Sequence, residues 1–208
     1  MGHPLLDLKN KTAVVTGGTS GIGLALSKGL AIAGANVIPT GRRADLVQSA
    51  ATEIEKLGRQ SLVCPTDVTD AASLEKLLEA ARGKFGAVQI LVNCAGRTKR
   101  TPTLDVSDAE WNAILETNLT GTLRACQVFG RQMIAQKYGR IVNIASLSSF
   151  VSLFEVAAYS ASKAAVASLT KSLAVEWAKH GVCVNAIRAG PAAAAAIFTK
   201  SRRVSFTR

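Results

Sequence analysis

Short apolar runs alternate with helical patterns along almost the whole chain, and this rhythm restricts the fold more than anything else. Residues 12–16, 36–40, 61–65, 89–93, 140–145 and 182–187 each read as a strand. Between them, residues 22–33, 44–57, 71–82, 107–136 (one long helix or two shorter ones) and 158–180 carry apolar side chains at helical spacing. Strands that are apolar throughout are buried on both faces, and intervening helices impose parallel pairing. Right-handed crossovers then predict a doubly wound α/β Rossmann sheet of six parallel strands with helices on both faces. Its ligand crevice should lie at the carboxyl ends of the strands.

Composition removes several function classes. The chain has 208 residues, 48% hydrophobic and 19% charged, which predicts a folded domain with its own core. No uncharged apolar stretch reaches about 18 residues, so no membrane span is expected. The first nine residues lack the basic start and apolar run of a secretory signal. Cys64, Cys94, Cys126 and Cys183 are far apart and form no C-x-x-C pair, so neither a metal site nor a redox pair is expected. They read as buried thiols in a reducing cytoplasm. The net charge of +11 points to anionic partners. Nucleic acid is not the expected one, because no helix-turn-helix, zinc finger or aromatic RNA-binding signature is present.

A glycine-rich loop directly follows the first strand: Thr16-Gly17-Gly18-Thr19-Ser20-Gly21-Ile22-Gly23, opening a helix. Glycines let the backbone approach a pyrophosphate, and the helix N-terminus offers free N–H groups and partial positive charge. The spacing is G-x-x-x-G-x-G, and its place at the first strand–helix turn makes it a nucleotide site. The second strand ends in Thr40-Gly41-Arg42-Arg43. An acid there would hold the ribose 2′-hydroxyl of NAD, whereas two arginines suit the 2′-phosphate of NADP. NADP is therefore the expected cofactor, with NAD as the alternative.

Tyr159-Ser160-Ala161-Ser162-Lys163 sets a phenol and an ammonium at i and i+4 on one helix face. A neighbouring cation stabilises phenolate, which suits the pair to proton transfer. Ser146 ends the fifth strand, where a hydroxyl would point into the crevice. Asn118 lies in the helical region after the fourth strand.

With these residues in place, the chain resembles the short-chain dehydrogenase/reductase family from about residue 8 to residue 191. Asp67-Val68 matches the family's adenine-contacting acid. Asn93-Cys94-Ala95-Gly96 matches its Asn-Asn-Ala-Gly loop, with Cys94 in place of the second Asn. Asn118, Ser146, Tyr159 and Lys163 match its catalytic set. The resemblance implies hydride exchange between a nicotinamide and a secondary alcohol or ketone. Ser146 would bond the reacting oxygen, and Tyr159 would carry its proton. Lys163 would hold the nicotinamide ribose, and Asn118 would hold a relay water behind Lys163. It implies cofactor contacts by Gly17, Thr19, Ser20, Gly21, Ile22, Gly23, Asp67, Val68, Asn93, Ala95, Gly96 and Gly190, besides Arg42, Arg43, Tyr159 and Lys163. A homodimer or homotetramer is implied as well.

The loop Gly96-Arg97-Thr98-Lys99-Arg100-Thr101-Pro102, Trp111 and residues 144–150 resemble the sugar-acid branch of the family, which includes gluconate 5-dehydrogenase and 2-deoxygluconate 3-dehydrogenase. Substrate contacts are then expected from Ser146, Tyr159, Arg97 and Arg100, with Lys99 a further candidate to hold a carboxylate. Alternatives are reduction of 3-oxoacyl carrier-protein thioesters and a non-catalytic dinucleotide sensor. The end of the chain departs from the family. Ala189 stands where a proline is usual, and residues 192–208, with five consecutive alanines, show neither the substrate-covering helices nor a seventh strand. The expected organisation is one dinucleotide-binding catalytic domain over residues 1–191, followed by an atypical tail that is natural, truncated or a placeholder.

Overall fold

The computed structural model describes residues 7–151 and 153–189. The elements, in chain order, are β1 (Thr12–Thr16), α1 (Gly21–Ile32), β2 (Asn36–Thr40), α2 (Ala44–Lys56), α3 (Ala71–Phe85), β3 (Ile90–Asn93), α4 (Asp108–Leu115), α5 (Gly121–Ala135), β4 (Gly139–Ser146), α6 (Ala157–Trp177) and β5 (Val182–Ala189). The five strands form one sheet in the order β2-β1-β3-β4-β5, every pair parallel. From β1 the chain winds first to one side, to β2, and then to the other, to β3, so the order of winding switches between the neighbouring strands β1 and β3. Such a switch point opens a crevice beyond the strand carboxyl ends.

The expected strand at 61–65 is not one: the described sheet has five strands, not six. The segment runs beside the outer edge of β2 but joins it mostly through side chains. Thr40 Oγ1 donates to the Cys64 carbonyl at 2.5 Å, and Ser61 Oγ to the Val37 carbonyl at 2.7 Å. Backbone bonds occur only at the ends, from Val37 N–H to Gln60 and from Thr66 N–H to Gly41. The reason lies in β2. Asn36 N–H turns inward to Lys11 and Val37 N–H turns outward. By strand alternation the next outward position is residue 39, a proline with no N–H to give. A continuous ladder cannot form there.

Alternate strand residues build two cores. Val14, Ile38, Leu91, Ile141 and Val184 face α3, α5 and α6, where Leu77, Phe129, Met133 and Leu173 close over them. Ala13, Val15, Val37, Ile90 and Val92 face α1 and α2, with Ala31 and Ile54. A fully buried Phe or Leu here contributes roughly 2–3 kcal/mol by transfer from water. Cys64 and Cys126 are buried as expected, and burial pushes the Cys126 thiol up to about 12. Cys183 departs from expectation and is exposed, because it lies on the face of β5 turned away from α5 and α6.

Two helix starts follow their sequence signals. Asp70 caps α3 by accepting the Ala72 N–H at 3.0 Å, and Ser107 caps α4 by accepting the Glu110 N–H at 3.2 Å, each worth about 1 kcal/mol. The capping box at Ser107 is only half formed, since the Glu110 carboxylate is taken by Lys99. The helical region expected at 107–136, as one long helix or two shorter ones, is α4 and α5 joined through one wide π-turn at Glu116–Thr120, and Asn118 sits inside it. Such turns shift the side-chain direction of the residue they contain. Among the described residues, no helix is long and apolar enough to cross a membrane, and no cluster of ligating side chains suits a metal ion.

Candidate active site

The loop after β1 is held by its own backbone. Gly18 N–H bonds the Val15 and Thr40 carbonyls, and Ser27 Oγ on α1 donates back to the Gly23 carbonyl at 2.9 Å while lying 3.4 Å from that of Gly18. Two glycines are required by contact. A methyl at Gly17 would stand 2.7 Å from the Ala95 backbone, and φ there is +67°. One at Gly23 would stand 2.0 Å from the Gly17 carbonyl oxygen. The loop is therefore pressed against both the helix start and the β3 loop. Ser20, the N-cap of α1, makes no side-chain cap bond. The first-turn N–H groups thus lack the usual side-chain partner and face the crevice, as an anion site needs.

The crevice holds two adjoining cavities that share Gly17, Thr19, Ala95, Gly96 and Arg97. The larger, about 640 Å³, is lined on one wall by Ser20, Ile22 and Gly23 of the glycine loop. Ser146, Tyr159 and Lys163 line it on another, and Arg97 and Arg100 lie at its rim. The smaller, about 450 Å³, runs past Arg42, Arg43, Asp67 and Val68. Most site residues expected from the sequence meet here. Gly21 begins α1 but lines neither cavity, and Gly190 lies outside the described residues with Pro191 and the 192–208 tail.

Each side chain in the larger cavity has a definable state. Ser146 Oγ accepts the Ser148 N–H at 3.2 Å, which leaves its proton free to donate. Tyr159, in the first turn of α6, makes no side-chain hydrogen bond among the described residues. Lys163, one turn on, is buried, and its Nζ donates to the Ile144 carbonyl at 2.6 Å, leaving two further protons. Nζ lies 5.9 Å from the Tyr159 ring centre. Burial holds the Lys163 pKa below its ordinary value, with the Cys94 thiol opposing weakly; the same burial pushes Cys94 up. Burial also raises the Asp67 carboxyl, but the Thr69 N–H and hydroxyl, with Arg42, outweigh it and leave the group below its usual range.

Three residues expected at the site are turned to other partners. Asn93 does not line the crevice: its amide points beneath the floor, donating to Asn143 at 2.9 Å and Cys126 at 3.3 Å. Asn118 is fully buried and its side chain faces no cavity. It accepts the Arg97 N–H at 2.8 Å and donates to the Arg97 carbonyl and Ser162 Oγ, both at 3.0 Å. Lys99 is paired with Glu110 at 2.6 Å, holds that carboxyl below its ordinary range and lines neither cavity. The β3 loop is thus fixed at alternate residues: Arg97 by Asn118, Lys99 by Glu110, and Thr101 through its N–H to the Glu155 carbonyl at 2.9 Å. Arg97 and Arg100 make no ion pair among the described residues. The sequence reading missed an apolar wall of Leu147, Leu153 and Val156, and a polar role for Ser162. A serine three residues from Tyr159, on the side of α6 that must be buried, was the available signal for the second.

Comparison with known proteins decides the assignment. The family model for short chain dehydrogenases matches residues 11–203. Gluconate 5-dehydrogenase of Gluconobacter oxydans (strain 621H) is 37% identical over 191 residues, which cover 91% of this chain and 75% of that protein. The 3-oxoacyl-(acyl-carrier-protein) reductase of Escherichia coli (strain K12) is 37% identical over 185 residues, 89% of this chain and 75% of the relative. The chain belongs to the short-chain dehydrogenase family. A solved structure from Beutenbergia cavernae, assigned as an NAD(P) dependent gluconate 5-dehydrogenase with NADP bound at low occupancy, superposes with a TM-score of 0.83. It is 42% identical and covers 89% of this chain and 74% of that one. As a short-chain dehydrogenase, the protein is an NAD(P)-dependent oxidoreductase, which sets the non-catalytic sensor aside.

Proposed function

We propose that the protein interconverts a secondary alcohol and a ketone on a sugar acid, with NADP preferred over NAD. One observation carries this reading. The glycine loop, the Ser146–Tyr159–Lys163 group and the Arg97 and Arg100 side chains all line a single cavity. The residues suit a dinucleotide: the open N-terminus of α1 for the pyrophosphate, Arg42 and Arg43 for a 2′-phosphate, and Lys163 for ribose hydroxyls. When bound, the nicotinamide supplies or accepts the hydride. Ser146 donates its free proton to the reacting oxygen and orients it. Tyr159 gives or takes the proton of that oxygen. The Lys163 ammonium, fixed by Ile144, favours negative charge on the phenol during transfer. Arg97 or Arg100 holds the carboxylate at the rim. A cytoplasmic location belongs to the same reading, and so does a homodimer or homotetramer, for which the large exposed apolar side chains Leu104, Phe154 and Val175 speak.

The 2′-phosphate assignment has its own test. Arg42→Ala with Arg43→Ala should weaken NADPH binding about 10–100-fold and leave NADH nearly unchanged, as read by nicotinamide fluorescence titration. Equal loss for both cofactors would remove the preference.

The substrate reading is tested with purified protein, NADPH and a panel of keto sugar acids, following absorbance at the nicotinamide band. Turnover is expected, and Arg100→Ala should raise KM about tenfold for acids while sparing uncharged ketoses. A second reading is favoured by the apolar wall of Leu147, Leu153 and Val156, which would suit an acyl chain. If only 3-oxoacyl thioesters are reduced, that reading replaces the first.

A further inference from the structure

We infer that Ser162, rather than acting on substrate, is a positioning residue that ties the anion-binding loop to the catalytic helix. It is fully buried, one residue before Lys163 and three after Tyr159. Its hydroxyl donates to the Tyr159 carbonyl at 2.7 Å, and its oxygen accepts Asn118 Nδ2 at 3.0 Å. A hydroxyl has only one proton. With that proton spent on Tyr159, Ser162 can only accept from Asn118. The Asn118 amide must therefore present its NH₂ to α6.

The Arg97 peptide calls for the same orientation. With Nδ2 turned to Ser162, Oδ1 stands where it accepts the Arg97 N–H at 2.8 Å, and the second amide proton reaches the Arg97 carbonyl at 3.0 Å. Reversing the amide would set oxygen against oxygen at Ser162 and at the Arg97 carbonyl, and nitrogen against the Arg97 N–H. Both Arg97 bonds would be lost in a buried place, and Ser162 could meet the reversed amide only by giving up its bond to Tyr159. The Arg97 peptide and the Ser162 hydroxyl thus call for the same amide orientation, and Asn118 joins one to the other.

The consequence concerns distance between two parts of the cavity. The Lys99–Glu110 pair and the Thr101–Glu155 bond hold the loop to α4 and to the segment before α6. The Asn118 clasp is the tie from Arg97 to the turn of α6 that carries both Tyr159 and Lys163. Arg97 begins the stretch that also carries Arg100, so the clasp sets how far the cationic rim stands from the proton donor. This inference rests on the proposal that the rim holds the substrate carboxylate.

The test uses Ser162→Ala, with Ser162→Thr as the variant that keeps the hydroxyl. Ser162→Ala removes the amide's bond to α6 and leaves one buried Asn118 N–H without its partner, and KM for an anionic substrate is expected to rise about tenfold while kcat stays within about threefold. KM for an uncharged ketone and the Kd for NADPH should not move, and Ser162→Thr should restore the KM. A fall in kcat at constant KM, or an equal KM rise for charged and uncharged substrates, overturns the inference. A second readout is independent of substrate: trypsin cleavage after Arg97, Lys99 or Arg100 in the folded protein without cofactor. Cleavage should run at least about fivefold faster in Ser162→Ala than in wild type or Ser162→Thr. Unchanged cleavage overturns the clasp. Faster cleavage with unchanged KM upholds the clasp and overturns the carboxylate role of the rim.

Discussion

Tyr159→Phe is expected to lower kcat by about 10²–10⁴ while NADPH binds with nearly its wild-type Kd, because the change removes one oxygen and little else. The structure supplies the reason for the split. The Tyr159 side chain makes no hydrogen bond among the described residues, so its loss leaves no buried partner unsatisfied. The groups offered to the dinucleotide, including the glycine loop and Lys163, stay in place. The measurement is steady-state turnover with a reducible ketone beside fluorescence titration of NADPH. A variant that keeps more than about a tenth of the wild-type rate would refute the proton-transfer role.

Gly23→Ala should abolish cofactor binding by a different route. The added methyl would lie 2.0 Å from the Gly17 carbonyl oxygen and 2.8 Å from its carbonyl carbon. Both are backbone atoms, so no side-chain rotation relieves the contact. Gly17 cannot retreat, since its own α-carbon faces the Ala95 backbone with no room for a methyl. The loop must open, and the N–H groups of α1 lose their aim. NADPH affinity is expected to fall at least about 100-fold, with a lower Tm. Gly29→Ala, on the same helix with nothing near the added methyl, is the control. It should bind cofactor normally and be unchanged or stabilised by up to about 1 kcal/mol. Binding by Gly23→Ala within about threefold of wild type would overturn the proposed role of the loop.

Much of the fold was legible because its signals are local. Apolar runs, the glycine turn and the caps at Asp70 and Ser107 act within a few residues. What was not legible depended on partners far along the chain. The 61–65 segment looks like a strand in isolation, and only its neighbour's Pro39 denies it a ladder. The positions of Ser146, Tyr159 and Lys163 follow from a strand end and one helix turn. The directions of Asn93 and Asn118 do not, since each is set by groups 20 or more residues away. Lys99 looked equivalent to Arg97 and Arg100 until Glu110, on α4, claimed it.

Pro39 has a bearing on the protein's behaviour in a crowded cell. The edge of a sheet is a template on which a foreign strand can grow, since its outward amides wait for carbonyls. Should residues 60–66 peel away from β2, the edge would offer the Val37 N–H but nothing at residue 39. An invading strand would miss a bond near the middle of a five-residue strand and meet a pyrrolidine ring there. The same proline that keeps the sixth strand from forming also makes this edge a poor seed for aggregation.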